Sequence, residues 1–127
     1  MTGKESREPT SGSLQLLFAR QSVFQYKVSG MDTPVDSPRW FQYHMTAMTE
    51  ELGEVLKADK RWKTHRNAHY DFENKLEELA DVFITAMNLA LFSGIDADTM
   101  IQAISAKISE NTHKFDLNQK LKAEGNG

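Results

Sequence analysis

The sequence predicts an all-α protein, a four-to-five-helix bundle whose core is completed by oligomerisation. Three observations carry that expectation. Apolar residues recur at helical spacing in successive stretches, and no stretch shows the strict alternation of a strand. Cap and stop residues bound those stretches: Ser13 and Gly30, Ser37-Pro38, Asp71, Gly94 and Asp96. From Leu79 onward the third stretch is apolar nearly all round. A bundle this small has little room to enclose such a helix, so part of its surface is expected to meet a second subunit.

The first helix is expected from Ser13, its N-cap, to Gly30, its stop. Leu14, Leu17, Phe18, Gln21, Phe24, Gln25 and Val28 mark its repeating positions. Residues 31–37 hold Asp, Thr and Pro34 and read as a loop. Ser37 followed by Pro38 is an N-cap with an N1 proline. The second helix then runs from about Pro38 to about Lys60, with Trp40, Phe41, Met45, Met48, Leu52, Val55 and Leu56 apolar. Arg61 to Tyr70 is basic and aromatic with weak periodicity, a loop with room for a frayed helical end. Asp71 caps the third helix, which reaches about Phe92. Gly94 suits a left-handed C′ position and Asp96 the next N-cap. The fourth helix covers about Ala97 to Lys114, with Met100, Ile101, Ile104 and Ile108 facing inward. Residues 1–12 and 115–127 read as polar tails, disordered at the N-terminus, around one domain spanning 13–114.

Bulk properties narrow the function. A chain of 127 residues with 39% hydrophobic and 26% charged residues fits a single globular domain. A net charge of −3 lacks the basic excess of a protein that binds nucleic-acid polymers. Without cysteine there is neither a disulfide nor a thiolate metal site. Residues 1–12 lack the apolar core of a signal peptide. The longest apolar run, Leu79 to Phe92, is broken by Asp81 and Asn88 and is too short for a bilayer. A cytoplasmic protein without a membrane partner is the expectation.

Two acidic stretches organise the rest. Glu50, Glu51 and Glu54 lie near the end of the second helix, Glu77, Glu78 and Asp81 near the start of the third. Carboxylates three or four residues apart share a helix face. A helix–loop–helix makes the two helices antiparallel neighbours, which brings both stretches to one end. Two unit charges about 4 Å apart repel by roughly 4 kcal/mol at an effective dielectric near 20. Convergence of several would threaten a domain of typical stability, about 5–15 kcal/mol, unless a cation intervened. The donors are all oxygens, and neither stretch carries a histidine at ligand spacing. That favours Mg²⁺, with Mn²⁺ as a substitute, over Zn²⁺ or a di-iron centre. The plain alternative is a solvated helix face on which Lys57 and Lys60 neutralise the glutamates. Asp81 argues against it, because it interrupts an apolar run. Glu78, Asp81, Thr85 and Asn88 form one polar stripe along the third helix, for which a satisfied core Asn is the ordinary reading.

Three further features are weaker alone. Lys107, Asn111 and Lys114 share a face of the fourth helix, which solubility and the helix dipole suffice to explain. Beside a metal, that face would suit a polyphosphate. His44 lies seven residues before Glu51, on the same face, and reads as a bundle-lining or exposed residue rather than a catalyst. Trp62 and Tyr70 could stack a base, although loop aromatics more often pack on the core.

Glu50-Glu51-x-x-Glu54 followed by Glu78-x-x-Asp81 resembles the signature of the all-α nucleoside triphosphate pyrophosphohydrolases, the superfamily of MazG-like proteins and dimeric dUTPases. The resemblance extends over about Leu14 to Lys114, and Trp62-Lys63 is similar to a Trp-Lys pair of some dUTPase-like members. It implies a helical bundle assembled as a homodimer or homotetramer, and a Mg²⁺-dependent enzyme that hydrolyses nucleoside triphosphates to monophosphate and pyrophosphate. It also implies roles: Glu51, Glu54, Glu78 and Asp81 as metal ligands, Glu50 holding or deprotonating water, and Lys107, Asn111, Lys114, Asn88 and Lys63 toward the substrate. A non-enzymatic helical interaction module is the rival from another class, and a related hydrolase of a non-nucleotide phosphate is the nearer one. Mg²⁺ titration separates the first, a substrate panel the second.

Overall fold

The structure, a computed structural model, describes residues 13–30, 36–63 and 70–126. Residues 1–12, expected as a tail, lie outside these, as do parts of the expected loops at 31–35 and 64–69. The described residues form an all-α protein of the helical-bundle class, with α1 Leu14–Ser29, α2 Pro38–Ala58, α3 Phe72–Leu91 and α4 Ala97–Asn126. The chain divides into two compact units, residues 1–96 and 97–127.

Local chemistry sets each boundary of the first unit. The Ser13 hydroxyl accepts from the Leu16 N–H at 3.1 Å and starts α1. Gly30 ends it at φ 73°, a left-handed conformation that costs a glycine nothing, and its N–H reaches the Tyr26 carbonyl at 2.8 Å. Ser37 caps α2 through Trp40 N–H at 3.3 Å, and Pro38 fills the first helical position. Asp71 caps α3 through Asn74 N–H at 3.1 Å. After Leu91 the chain turns, with Gly94 at φ 74° and the Ile95 N–H on the Ala90 carbonyl at 2.9 Å.

α2 and α3 form an antiparallel hairpin. At one end the Ser37 N–H donates to the Phe92 carbonyl at 2.9 Å, and Asp36 bridges Ser93. At the other, Asp59 bridges Tyr70. A 3-10 turn, Lys60–Trp62, follows α2, the frayed helical end that the sequence allowed at the start of the loop. Here Asp59 accepts from the Arg61 guanidinium through two bonds, of 2.8 and 2.6 Å, from the Arg61 backbone N–H at 3.2 Å, and from Lys75 of α3 at 3.0 Å. The Arg61 guanidinium lies 3.5 Å over the Tyr70 ring. Charge and stacking therefore fasten the loop end of the hairpin. α1 packs against α3. Phe18, Ala58, Ala90, Leu91 and Phe92 are buried in this unit, and Phe92 is fully enclosed.

The second unit is one helix. α4 runs to Asn126 and does not stop at Lys114, so the expected polar tail from residue 115 is helical through 126. Its sequence is polar but rich in helix formers and lacks proline. Polarity alone does not end a helix. Ile104 and Ile108, expected inward, are exposed. α3 also departs from expectation: Phe72, Leu76, Leu79 and Phe83, one helical face, remain exposed, Phe83 at 70%. Within the first unit, the described residues leave this apolar face of α3 uncovered.

Candidate active site

Antiparallel pairing carries the end of α2 to the start of α3, and with it the two acidic stretches. Glu51, Glu78 and Asp81 are half-buried, whereas Glu50 and Glu54 are exposed. The effect of their convergence is read at Glu51. Partial desolvation, then the charges of Asp81, Glu78, Glu54 and Glu50, push its pKa above the ordinary value. Charges from both helices thus reach one carboxylate, as the spacing predicted. Among the described residues the five carboxylates have one ion-pair partner, Lys57, 3.6 Å from Glu54 and exposed. The solvated-face alternative expected Lys57 and Lys60 to neutralise this cluster; the pairing seen reaches only its outermost member.

The donor set is chemically suited to a hard divalent cation: oxygen-only, anionic and underneutralised. Among the described residues, no three carboxylates or histidines are gathered tightly enough to hold a metal as they stand.

Asn88 lies two turns beyond Asp81 on α3, 3% exposed, in the core. Lys63 follows the 3-10 turn, its ammonium 5.2 Å over the Trp62 ring. Trp62 itself is exposed and donates through Nε1 to the Leu56 carbonyl at 3.3 Å. On α4, Lys107 and Lys114 both pair with Glu110, at 3.3 and 3.2 Å, and Asn111 is exposed beside them.

Around Asn88 the structure assembles a layer that the sequence did not disclose. Gln21 of α1 donates through Nε2 to Asn88 Oδ1 at 3.0 Å, and Asn88 Nδ2 lies 3.5 Å from His44 Nδ1. His44 is 5% exposed, and desolvation lowers its pKa. Its ring stacks on Phe92 at 5.0 Å and 17°, with Trp40 at 6.1 Å and 29°. His44 also borders a cleft of about 540 Å³ between α1 and α2, lined with Gln25, Val28, Arg39, Trp40 and Tyr43. The available signal was the presence of Gln21 and Gln25 within the apolar stripe of α1, and of His44 in register with Glu51.

The described residues thus combine an acidic layer across an antiparallel helix pair with a separate cleft between α1 and α2 lined largely by aromatic groups. The chain belongs to the dUTPase family, whose profile matches residues 13–123, and is therefore a hydrolase of the nucleotide pyrophosphatase type. No curated protein and no solved structure matches it. Among the described residues no helix is long and apolar enough to cross a membrane.

Proposed function

We propose that the protein is a Mg²⁺-dependent pyrophosphohydrolase of deoxynucleoside triphosphates, with dUTP its foremost candidate substrate, serving to clear unwanted nucleotides from the pool. The observation that carries this reading is the antiparallel pairing of α2 and α3, which brings half-buried Glu51, Glu78 and Asp81 to one end of the hairpin, where charges from both helices act on Glu51. Carboxylates that repel one another within a fold are tolerated where a cation is to be bound. Family membership supports the reaction class, and kinship with the MazG-like proteins is part of the proposal.

Glu51, Glu54, Glu78 and Asp81 would hold Mg²⁺, or Mn²⁺ in its place. The ion, when bound, neutralises charge on the phosphoryl oxygens and favours ionisation of water. Glu50 holds the attacking water and takes its proton as the oxygen bonds to the α-phosphorus. The bond from that phosphorus to the bridging oxygen breaks, leaving monophosphate and pyrophosphate. Lys107, Asn111 and Lys114 are proposed to contact the triphosphate, each lysine exchanging Glu110 for a phosphate oxygen. Lys63 is a further candidate for that charge. The cleft beside His44 is of a size that takes a nucleoside.

A homodimer or homotetramer belongs to the same reading. Phe72, Leu76, Leu79 and Phe83 are exposed on one face of α3, and burying each such side chain is worth about 1.5–3 kcal/mol. Light scattering on the purified protein checks the mass, and a monomer at micromolar concentration refutes the assembly.

The test of the activity is a panel of standard and modified deoxynucleoside triphosphates with Mg²⁺ or with EDTA, scored separately for pyrophosphate and phosphate. Pyrophosphate released only with the metal is expected. Phosphate release, or turnover unaffected by EDTA, refutes the mechanism.

A further inference from the structure

We infer that Asp59 and Lys75, joined with Arg61 and Tyr70 in a clasp at the loop end of the α2–α3 hairpin, are positioning residues that set the gap between the two acidic stretches and so the affinity for the divalent cation. The inference rests on the acidic layer being the metal site, and adds what holds that layer at working distance.

The clasp is a network rather than a single surface pair. The Arg61 guanidinium meets both Asp59 oxygens, at 2.8 and 2.6 Å, and Lys75 of α3 reaches Oδ2 at 3.0 Å. The guanidinium lies 3.5 Å over the Tyr70 ring, and the Lys75 ammonium 5.4 Å over it. The backbone of Asp59 bridges that of Tyr70. The Asp59 side chain is 18% exposed and that of Lys75 28%. Isolated exposed pairs hold little, but a forked arginine pair inside a shared and partly desolvated network holds geometry.

Its place in the hairpin decides what it does. Asp59 follows Glu54 by five residues and Lys75 precedes Glu78 by three, about 7.5 and 4.5 Å of helix. The tether at the other end, Ser37 N–H to the Phe92 carbonyl, is fourteen residues from Glu51 and eleven from Asp81, about 21 and 17 Å of helix. The clasp is therefore the fastening beside the acidic layer. That layer pushes the helices apart, since carboxylates of both act on Glu51. Mg²⁺ demands oxygens at about 2.0–2.1 Å in near-ideal octahedral geometry. Among the described residues no three candidate ligands stand that close, so the spacing of the two helices decides whether donors from both reach one ion.

A positioning role and a field effect differ in sign. Asp59→Asn removes an anion and Lys75→Met a cation. Acting through the field alone, the first weakens cation binding and the second strengthens it. Acting by opening the clasp, both weaken it. Asn keeps an oxygen for the Arg61 N–H, 3.2 Å from Asp59 Oδ1, so the 3-10 turn survives the first change.

The experiment measures Mg²⁺ binding to the full chain by calorimetry, hydrogen exchange of the metal-free protein, and pyrophosphate release against Mg²⁺ concentration. In both variants the Mg²⁺ Kd should rise about tenfold or more, the scale on which outer-shell partners act. Lys75→Arg, which keeps the cation, should bind as the native protein does. At saturating Mg²⁺ the native kcat should return, because the ion then draws the helices together. Amide exchange should quicken across residues 50–58 and 76–81 and stay native at 38–44 and 88–92. An unchanged Kd, opposite shifts in the two variants, or faster exchange confined to residues 59–63 and 70–75 overturns the inference. Should Asp59→Asn unfold, Lys75→Met decides alone, since clasp and field predict opposite signs for it. A native protein that binds no Mg²⁺ would instead refute the proposed metal site, with the exchange pattern still judging whether the clasp sets the gap.

Discussion

Seven residues separate His44 from Glu51 on α2, and seven separate Asp81 from Asn88 on α3. Each interval is two turns, roughly 10 Å, and because the helices are antiparallel the intervals match. The hairpin therefore carries two layers built on opposite physics. In one, His44, Asn88 and Phe92 are buried, stacked and mostly hydrogen-bonded. In the other, Glu51, Glu78 and Asp81 are half-exposed and repel one another. The first layer can be expected to hold the helices together, and the second to work against them until a cation arrives. With the acidic layer as the proposed metal site, stability and function separate along a single pair of helices, and substitutions in the two layers should have opposite signatures.

The largest effect is expected in the acidic layer. Glu51→Gln or Asp81→Asn should reduce pyrophosphate release to background while the far-ultraviolet circular dichroism stays helical. In the native protein, Mg²⁺ at a hundred times its Kd should raise stability by about 2.7 kcal/mol, and Asp81→Asn should lose that gain in a thermal-shift titration. Native-like turnover in both variants would remove the acidic layer from the site.

The aromatic layer should respond the other way. Phe92 has no exposed surface and stacks on both His44 and Trp40, at 5.0 and 5.6 Å. Phe92→Ala leaves a cavity where the ends of α2 and α3 meet and is expected to cost about 3–5 kcal/mol, measured by urea denaturation. A loss under 1 kcal/mol would mean that this layer is not what holds the hairpin.

Much of this contrast could be read from the sequence because it depends on local chemistry and one topological step. Ser13, Ser37 and Asp71 announce their helices through side chains that accept from the backbone N–H groups beyond them. Gly30 and Gly94 announce the stops because they adopt positive φ. Antiparallel pairing then brings Glu51 within the field of Asp81 and Glu78. The end of α4 was misjudged, since polar residues from Phe115 onward look like a tail when only an apolar stripe is followed. Asp81 stood out because the run around it is apolar, yet Phe83 beside it is exposed and Asp81 itself is half-buried, so an apolar run did not amount to a buried one. The aromatic layer was hidden because it requires α1. Nothing in the spacing of Gln21 says that its amide meets Asn88, 67 residues later.

The smallest effect, and the one that isolates the electrostatic conflict, is the pH dependence of the metal-free protein. Glu51 has a native pKa above its ordinary value of 4.5. Between those two values the native state binds more protons than the unfolded chain, so stability falls as pH rises through the window. Above the native pKa the penalty is fully present, and below 4.5 it is gone. Asp59 acts in the opposite sense. Hydrogen bonds from Arg61 and Lys75 hold its carboxyl far below the usual range, and the stability this confers is lost as pH falls from 3.8 toward the native value. The whole-protein curve mixes the two, so the informative quantity is the difference between Glu51→Gln and the native protein. Without metal that difference should be a higher Tm for the variant at pH 7.5, shrinking to nothing near pH 4. With saturating Mg²⁺ at pH 7.5 its sign should reverse, because the same carboxylate then carries the ion. A difference independent of pH and of metal would show that Glu51 is strained by packing rather than by the charges facing it.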